Sequence, residues 1–187
     1  MRRVCVYCGS RIGNDPIYSK FAKDLGWHLA ACEIDLVYGG SDMGLMGMVA
    51  SSVLGNKGKV TAVMPVDLRE KAGHKEGTEL ILVDTMHQRK QQMSDLADAF
   101  IVLPGGYGTL DEIFEMLAWR QLNYHTKPCG FLNVNGYFDY LLKFLNHASG
   151  EDFIKPEHRA LAFAANNVPD LMKWLSGFKA FERTILG

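Results

Sequence analysis

The segment 99–121 constrains the fold more than any other part of the chain. It opens with five apolar residues, 99–103, a run typical of a strand buried on both faces. Pro104 follows, and then glycines at 105, 106 and 108 permit a sharp turn with close backbone approach. Apolar residues then recur at helical spacing, so we predict a helix that is capped by Thr109 and carries Asp111 and Glu112 in its first turn.

A glycine turn that leads into a helix is typical of an anion site. Free backbone N–H groups and the positive end of the helix dipole point at the same spot. Glu112 would lie one turn from a bound phosphate, and Glu115 would flank it on the same helix face. The alternative is a tight strand-to-helix connection that binds nothing. We favour the ligand site, because a plain connection rarely needs three glycines beside a carboxylate.

Strand and helix patterns alternate along the whole sequence. Apolar runs predict strands at residues 4–7, 34–38, 60–64, 80–83, 99–103, 129–133 and 161–164. Helical periodicity predicts helices at 16–32, 44–54, 86–98, 109–122, 137–148 and 168–175, with a mobile loop at 66–77 and a weakly specified tail after about residue 176. This order predicts an α/β fold, a single Rossmann-like domain over residues 1–187 with a doubly wound parallel sheet and helices on both faces.

The composition excludes several classes of protein. With 187 residues and a formal net charge of −1, the chain suits one domain and has no electrostatic footprint for nucleic acid or a membrane surface. No apolar run approaches the length of a transmembrane helix, and the first residues lack the apolar core of a signal peptide. Four cysteines are few for a disulfide framework, so we expect a cytoplasmic protein with reduced thiols.

Three small-residue turns, at 8–10, 39–47 and 104–109, fall at the carboxyl ends of predicted strands. Ligands of open α/β sheets bind at that edge, so the turns together predict one crevice for a nucleotide or a phosphosugar. The dinucleotide fingerprint is incomplete, because the first turn has a single glycine and no acid ends the second strand. A Walker A sequence is also missing, so NAD binding and ATP hydrolysis are both disfavoured.

Arg89 and the cysteine pair are two further candidates for chemistry. Arg89 opens a helix after a strand, so its guanidinium could bind phosphate or carboxylate in the crevice, or it could be a solvated surface charge. His87 is interpreted as a surface or half-buried residue outside the site. Cys5 and Cys8 have redox spacing, but they follow a strand, and no second Cys/His pair completes a zinc site. We therefore predict no metal and no cofactor.

The predicted helix 109–122 has more apolar residues than one core-facing stripe needs. They are Leu110, Ile113, Phe114, Met116, Leu117 and Trp119. The surplus predicts a second apolar partner, and we expect a homodimer with this helix at or near the interface.

Segments 39–47, 86–90 and 104–112 together resemble the Lonely Guy (LOG) family of cytokinin riboside 5′-monophosphate phosphoribohydrolases. The resemblance extends to about residue 153 and includes 127–128 and 133–137. It implies a Rossmann-like, commonly dimeric enzyme that hydrolyses the N-glycosidic bond of N6-modified AMP, and often of AMP, to free base and ribose 5-phosphate. The family's old label, lysine decarboxylase, finds no support, because the chain has no recognisable pyridoxal-phosphate apparatus.

By this resemblance, Arg89 and Glu112 match the catalytic pair. The expected substrate-binding residues are Gly9, Ser10, Gly40, Gly44, Met86, Lys90, Gly105, Gly106, Tyr107, Gly108, Thr109 and Glu115. Two alternatives stay open: a general nucleoside-monophosphate nucleosidase that acts in salvage, and a non-catalytic carrier of a nucleotide-like ligand. The presence of both Arg89 and Glu112 favours an enzyme.

Overall fold

The computed structural model describes residues 1–69, 73 and 75–178. Within them one parallel sheet of seven strands confirms the predicted α/β architecture, and its strand order is β4-β3-β2-β1-β5-β6-β7. The strands are β1 Arg3–Tyr7, β2 Asp35–Tyr38, β3 Val60–Pro65, β4 Glu79–Val83, β5 Ala99–Val102, β6 Cys129–Leu132 and β7 Ala162–Ala165. Every predicted strand is present, with each bound shifted by at most one residue.

Helices cover both faces of the sheet. They are α1 Pro16–Ala31, α2 Gly44–Gly55, α3 Met86–Leu96, α4 Tyr107–Gln121, α5 Asp139–Gly150, α6 Pro156–Arg159 and α7 Val168–Gly177. The helices α1, α2 and α7 pack on one face, and α3, α4 and α5 pack on the other. The sequence did not predict α6, because four residues are too few to show a helical period.

Alternation along each strand divides the core between these two layers. In β1, Val4 and Val6 pack against the first helical layer, and Cys5 and Tyr7 pack against the second. Because both faces are covered, the strands read as continuous apolar runs in the sequence.

Side chains cap the starts of three helices, α1, α3 and α7. The Asp15 carboxylate accepts the backbone N–H of Ile17 at the start of α1. At α3, Thr85 and Gln88 form a reciprocal capping box. The second cap sets the start of the helix that carries Arg89 and Lys90.

The crossover in the sheet fixes the place of the crevice. Strand β1 pairs with β2 on one side and with β5 on the other. The chain therefore leaves β1 towards α1 on one face and leaves β5 towards α4 on the opposite face. Connections that diverge in this way leave a crevice at the carboxyl ends of the two strands, where ligands of such folds bind.

Two predicted segments lie partly outside the described residues. Of the loop 66–77, the structure has a 3₁₀ turn at Val66–Leu68, and residues 70–72 and 74 are not described. Of the tail, α7 ends at Gly177, and residues 179–187 are not described. Within the described ranges, no helix has the length and apolar character that crossing a membrane requires.

Candidate active site

The glycine turn leads into α4 two residues earlier than the sequence predicted. The helix starts at Tyr107 with Gly106 as its N-cap, so Thr109 is not the cap. Asp111 and Glu112 lie in the second turn, and the prediction of acidic residues in the first turn was wrong. The Thr109 side chain is 4% exposed and packs beneath Gly105, where an added Cβ would collide with it. Thr109 therefore supports the turn from below.

The start of α4 leaves its backbone donors open. The N–H groups in the first turn of an α-helix have no acceptor inside the helix. At Gly106, no side chain in the described part of the chain supplies a cap. A Cβ added to Gly106 or Gly108 would meet nothing within 4 Å. The Tyr107 side chain is 96% exposed. The turn therefore presents backbone N–H groups to open space, as an anion site requires.

The three predicted turns meet at the sheet edge. The N–H of Gly9 donates to Pro104 O at 3.0 Å, and the N–H of Leu45 donates to Gly9 O at 3.0 Å. Gly44 has a φ of +60°, and a Cβ there would collide with the backbone of Ser10. These glycines, which were predicted to contact the ligand, are the points where the turns pack on one another. The three turns that were predicted to share one crevice therefore contact one another at this edge.

Gly40 also serves the packing of the turns. It has a φ of +92°, and an added Cβ would lie 2.7 Å from Met64 Cε. A left-handed backbone with so little space favours glycine over any other residue.

A cleft of about 260 Å³ opens between the first and third turns. Its lining includes the predicted residues Gly9, Ser10, Gly105 and Gly106. Two aromatic residues that the sequence did not single out, Tyr18 and Tyr137, line it as well. The only signal for Tyr137 was its place just after a predicted strand, in the resembling segment 133–137.

Arg89 is buried and paired with Glu112. Its Nη1 lies 2.8 Å from Glu112 Oε1, and Arg89 and Glu112 are 9% and 7% exposed. Arg89 Nε also donates to Val63 O at 3.2 Å, at the end of β3. Arg89 is therefore not a solvated surface charge, and its guanidinium binds a carboxylate of the protein, that of Glu112. Helices α3 and α4 thus bring the two predicted catalytic residues into one ion pair.

Burial raises the pKa of Glu112 above its ordinary value, and the negative charge of Asp111 adds to this effect. The cations Arg89 and Lys90 oppose the rise. A carboxylate in this setting holds a proton more strongly than an exposed one, and a general base near neutral pH requires that property.

Lys90 forms a second ion cluster beside this pair. Its Nζ lies 3.1 Å from Asp111 Oδ2 and 3.2 Å from Glu115 Oε2, and the residue is 8% exposed. Burial lowers the pKa of Lys90, but its hydrogen bonds and charge pairing with the two carboxylates outweigh burial and raise it. Lys90 and Glu115, both predicted to bind substrate, therefore contact one another. The sequence had placed Glu115 beside Glu112 and had not paired it with Lys90.

Met86, which was predicted to bind substrate, lies at the start of α3, one turn before Arg89, and is 43% exposed.

The cysteine pair is unsuited to redox chemistry. Cys5 and Cys8 are buried, and burial raises the pKa of each thiol well above its ordinary value, which disfavours the thiolate that redox chemistry needs. No group of three or more His, Cys, Asp or Glu that could hold a metal ion occurs in the part of the chain that the structure describes.

Comparison with known proteins adds sequence relatives. A family model described as "Possible lysine decarboxylase" matches residues 46–175. The chain is 47% identical to the probable cytokinin riboside 5′-monophosphate phosphoribohydrolase LOGL9 of Oryza sativa subsp. japonica, over 95% of this chain and 78% of that protein. It is 45% identical to the cytokinin riboside 5′-monophosphate phosphoribohydrolase LOG2 of Arabidopsis thaliana, over 95% of this chain and 84% of that protein.

Solved structures share the fold at much lower identity. The molybdenum cofactor binding protein of Rippkaea orientalis superposes with a TM-score of 0.71 at 18% identity, over 94% of this chain and 95% of that chain. The Moco carrier protein of Chlamydomonas reinhardtii superposes with a TM-score of 0.70 at 15% identity, over 94% of this chain and 95% of that chain. At these identities the likeness concerns the fold alone.

Proposed function

This chain belongs to the family of cytokinin riboside 5′-monophosphate phosphoribohydrolases, and we propose that it hydrolyses the N-glycosidic bond of AMP or N6-modified AMP. The products are the free base and ribose 5-phosphate. The observation that carries the proposal is the buried ion pair between Arg89 of α3 and Glu112 of α4, with 2.8 Å between Nη1 and Oε1. Glu112 lies on the helix that follows the open glycine turn.

The family model's description names a different reaction, and the state of Lys90 argues against it. A pyridoxal-phosphate decarboxylase needs a lysine that can lose its proton to form a Schiff base. Lys90 is the buried lysine beside the candidate catalytic pair, and two carboxylates raise its pKa. A lysine held as its ammonium is a poor nucleophile, so Lys90 does not suit that role. The sequence relatives support hydrolysis.

The chemistry follows from the charge of the transition state. When the bond between the anomeric carbon and the purine nitrogen breaks, the sugar becomes oxocarbenium-like and negative charge develops on the base. The Glu112 carboxylate stabilises the sugar cation and accepts a proton from the attacking water. The water oxygen forms the new bond to the anomeric carbon, and the base leaves with the electron pair of the broken bond. The leaving nitrogen takes up one proton from solvent to give the neutral free base, and Glu112 releases to solvent the proton that it took from water. A positioned base contributes roughly 10²–10⁴-fold.

Arg89 and the glycine turn supply orientation. The guanidinium favours the ionised form of Glu112 and holds one carboxylate oxygen, which leaves the other for water or the ribose. The 5′-phosphate binds the N–H groups at residues 106–109, remote from the bond that breaks. Its binding energy therefore orients the ribose for the reaction.

We also propose a homodimer in the cytoplasm. The α4 side chains Leu110, Phe114 and Leu117 are only half-buried, and Leu122, just after the helix, is 58% exposed. Such an apolar face suits a second copy of the chain. Light scattering at micromolar concentration tests the dimer, and a monomer there would contradict it.

One experiment tests the reaction and the role of the phosphate. The protein is incubated separately with AMP, isopentenyl-AMP, GMP, CMP and adenosine, and free base is measured by chromatography. We expect adenine from AMP, the modified base from isopentenyl-AMP, and little adenine from adenosine. Equal kcat/KM for AMP and adenosine would refute phosphate anchoring. Folded protein that releases no base from any nucleotide would refute the enzyme and leave the carrier. Comparable turnover of GMP and CMP would favour the general nucleosidase.

A further inference from the structure

Tyr137 reaches the glycine turn from a separate connection. It follows the 3₁₀ turn Val134–Gly136 after β6, and its Oη donates to the carbonyl oxygen of Gly105 at 2.8 Å. The ring is 42% exposed and lies against Tyr18 edge-on, with 5.7 Å between the ring centroids. The hydroxyl of Tyr137 therefore joins the connection after β6 to the turn after β5.

The backbone around Tyr137 is held in a fixed shape. Asn133 is 7% exposed; its amide donates to Asp139 Oδ1 at 2.7 Å and its carbonyl oxygen accepts the N–H of Phe138 at 2.7 Å. Asn135 and Gly136 have left-handed φ values of 50° and 70°. Residues are kept in this region when the surroundings determine them, and such positions cluster at functional sites. These hydrogen bonds and backbone angles fix the path of the chain on both sides of Tyr137.

The carbonyl groups of the glycine turn all have donors from the protein. Pro104 O accepts the N–H of Gly9, Gly105 O accepts the Tyr137 hydroxyl, and Gly106 O accepts the N–H of Leu110. In a planar trans peptide the carbonyl and the following N–H point in opposite directions. Anchoring Gly105 O therefore directs the N–H of Gly106 away from Tyr137. Of the three anchors, only the one from Tyr137 comes from a side chain.

We propose that Tyr137 is a positioning residue that orients the Gly106 N–H for the 5′-phosphate. This inference rests on the proposed function, because it assigns the phosphate to the glycine turn. Tyr137 acts through the peptide between Gly105 and Gly106 and does not itself take part in bond cleavage. Its effect belongs to phosphate affinity, so KM should respond and kcat should not.

Tyr137→Phe tests the role, because it removes the hydroxyl and keeps the half-exposed ring. One neutral hydrogen bond is worth about 2- to 10-fold, and because this bond lies within the protein, that factor is the upper limit for the loss of phosphate affinity. We expect KM for AMP and the inhibition constant of inorganic phosphate to rise by up to that factor, with kcat within about twofold of the wild type. Tyr140→Phe is the matched control, since Tyr140 lies on α5 and is 84% exposed. It should leave both constants and the melting temperature unchanged.

Calorimetric titration with inorganic phosphate gives a second readout that does not need turnover. Weaker phosphate binding by Tyr137→Phe, with wild-type binding by Tyr140→Phe, supports the inference even if the protein cleaves no nucleotide, in which case the proposed reaction alone fails. Wild-type phosphate affinity and KM in Tyr137→Phe would overturn it. A lowered melting temperature with kcat reduced as much as kcat/KM would also overturn it, because a merely structural role predicts that result.

Discussion

The guanidinium of Arg89 fills the space that a side chain at residue 39 would need. A Cβ added to Gly39 would collide with Nη2, and it would lie 3.0 Å from Cζ. Gly39 follows β2, and Arg89 lies on α3, so the turn after one strand shapes the site of a residue from a distant helix. The absence of a side chain at Gly39 is what lets Arg89 reach Glu112.

Gly39→Ala should therefore impair catalysis more than folding. Its φ does not lie in the left-handed region, so alanine fits the backbone, and the mobile end of Arg89 must move instead. A displacement of about 1 Å at a catalytic group can cost about 10²-fold, so we expect kcat to fall by roughly 10- to 100-fold. Gly55→Ala is the control, because a Cβ there meets nothing within 4 Å. Wild-type kcat in folded Gly39→Ala would contradict the relationship.

Glu112→Gln should remove the base and keep the shape of the side chain. We expect kcat to fall by roughly 10²-fold or more, with AMP affinity little changed. If Arg89 and Glu112 act as a unit, adding Arg89→Ala should lower kcat little further. The kinetics and the melting temperature are measured on one preparation, with the exposed Glu151→Gln as the control. Wild-type release of adenine by folded Glu112→Gln would exclude Glu112 as the base.

Arg89→Ala should shift the pH profile as well as lower kcat. Burial raises the pKa of Glu112, and Arg89 opposes the rise. Removing the cation raises that pKa further, so the acid limb of kcat, where Glu112 becomes protonated, should move to higher pH. The profile is measured from pH 5 to 9 beside the wild type with the same substrate, so that titration of its phosphate is common to both. An unmoved acid limb would show that the limb does not report Glu112.

Gly108→Ala should separate stability from substrate binding. Gly108 is the second residue of α4, and a Cβ there meets nothing within 4 Å. Replacing a helical glycine by alanine stabilises by about 0.5–1 kcal/mol, so the melting temperature should rise. If the 5′-phosphate occupies the open space, the methyl group should raise KM for AMP about tenfold or more, equivalent to ~1.4 kcal/mol. Gly150→Ala, also in open space, is the control for stability. Unchanged KM would argue against phosphate there.

His125, which is not one of the candidate site residues, should make the free energy of unfolding depend on pH. Its Nε2 lies 2.9 Å from Met116 O, and its Nδ1 accepts the N–H of Lys127, so the ring is neutral. Burial lowers the pKa of His125 to about 4, and Lys127 and Arg120 contribute in the same direction. The unfolded chain takes up the proton first, near pH 6.5, so this contribution is present above about 6.5 and is lost as the pH falls towards 4.

Urea unfolding at pH 7, 6, 5 and 4 measures this effect. The free energy of unfolding should fall more steeply with acid for the wild type than for His125→Gln, whose amide can keep one hydrogen bond. His87→Gln, at an exposed position on α3, should retain the wild-type slope. Equal slopes for the wild type and His125→Gln would show that His125 does not titrate as described.

The sequence determined the order of the elements and the turns at the sheet edge. Continuous apolar runs specified the strands, since a parallel sheet covered on both faces has no polar side. The sequence placed the start of α4 at Thr109, whereas the helix begins at Tyr107. Glycines at 105, 106 and 108 lower the local helix propensity, and for that reason the predicted helix began after the last of them. Capping by the backbone alone leaves no residue pattern that could mark the true start.

Only the tertiary structure decided which side chains meet. The pairing of Lys90 with Asp111 and Glu115, the fit of Arg89 over Gly39 and the reach of Tyr137 to Gly105 each join different elements. Local periodicity records which face of an element is buried, but it carries no information on which element packs against it. The order of the strands in the sheet decides which elements pack together. Because β1 lies between β2 and β5, turns that are far apart in the chain converge on one crevice.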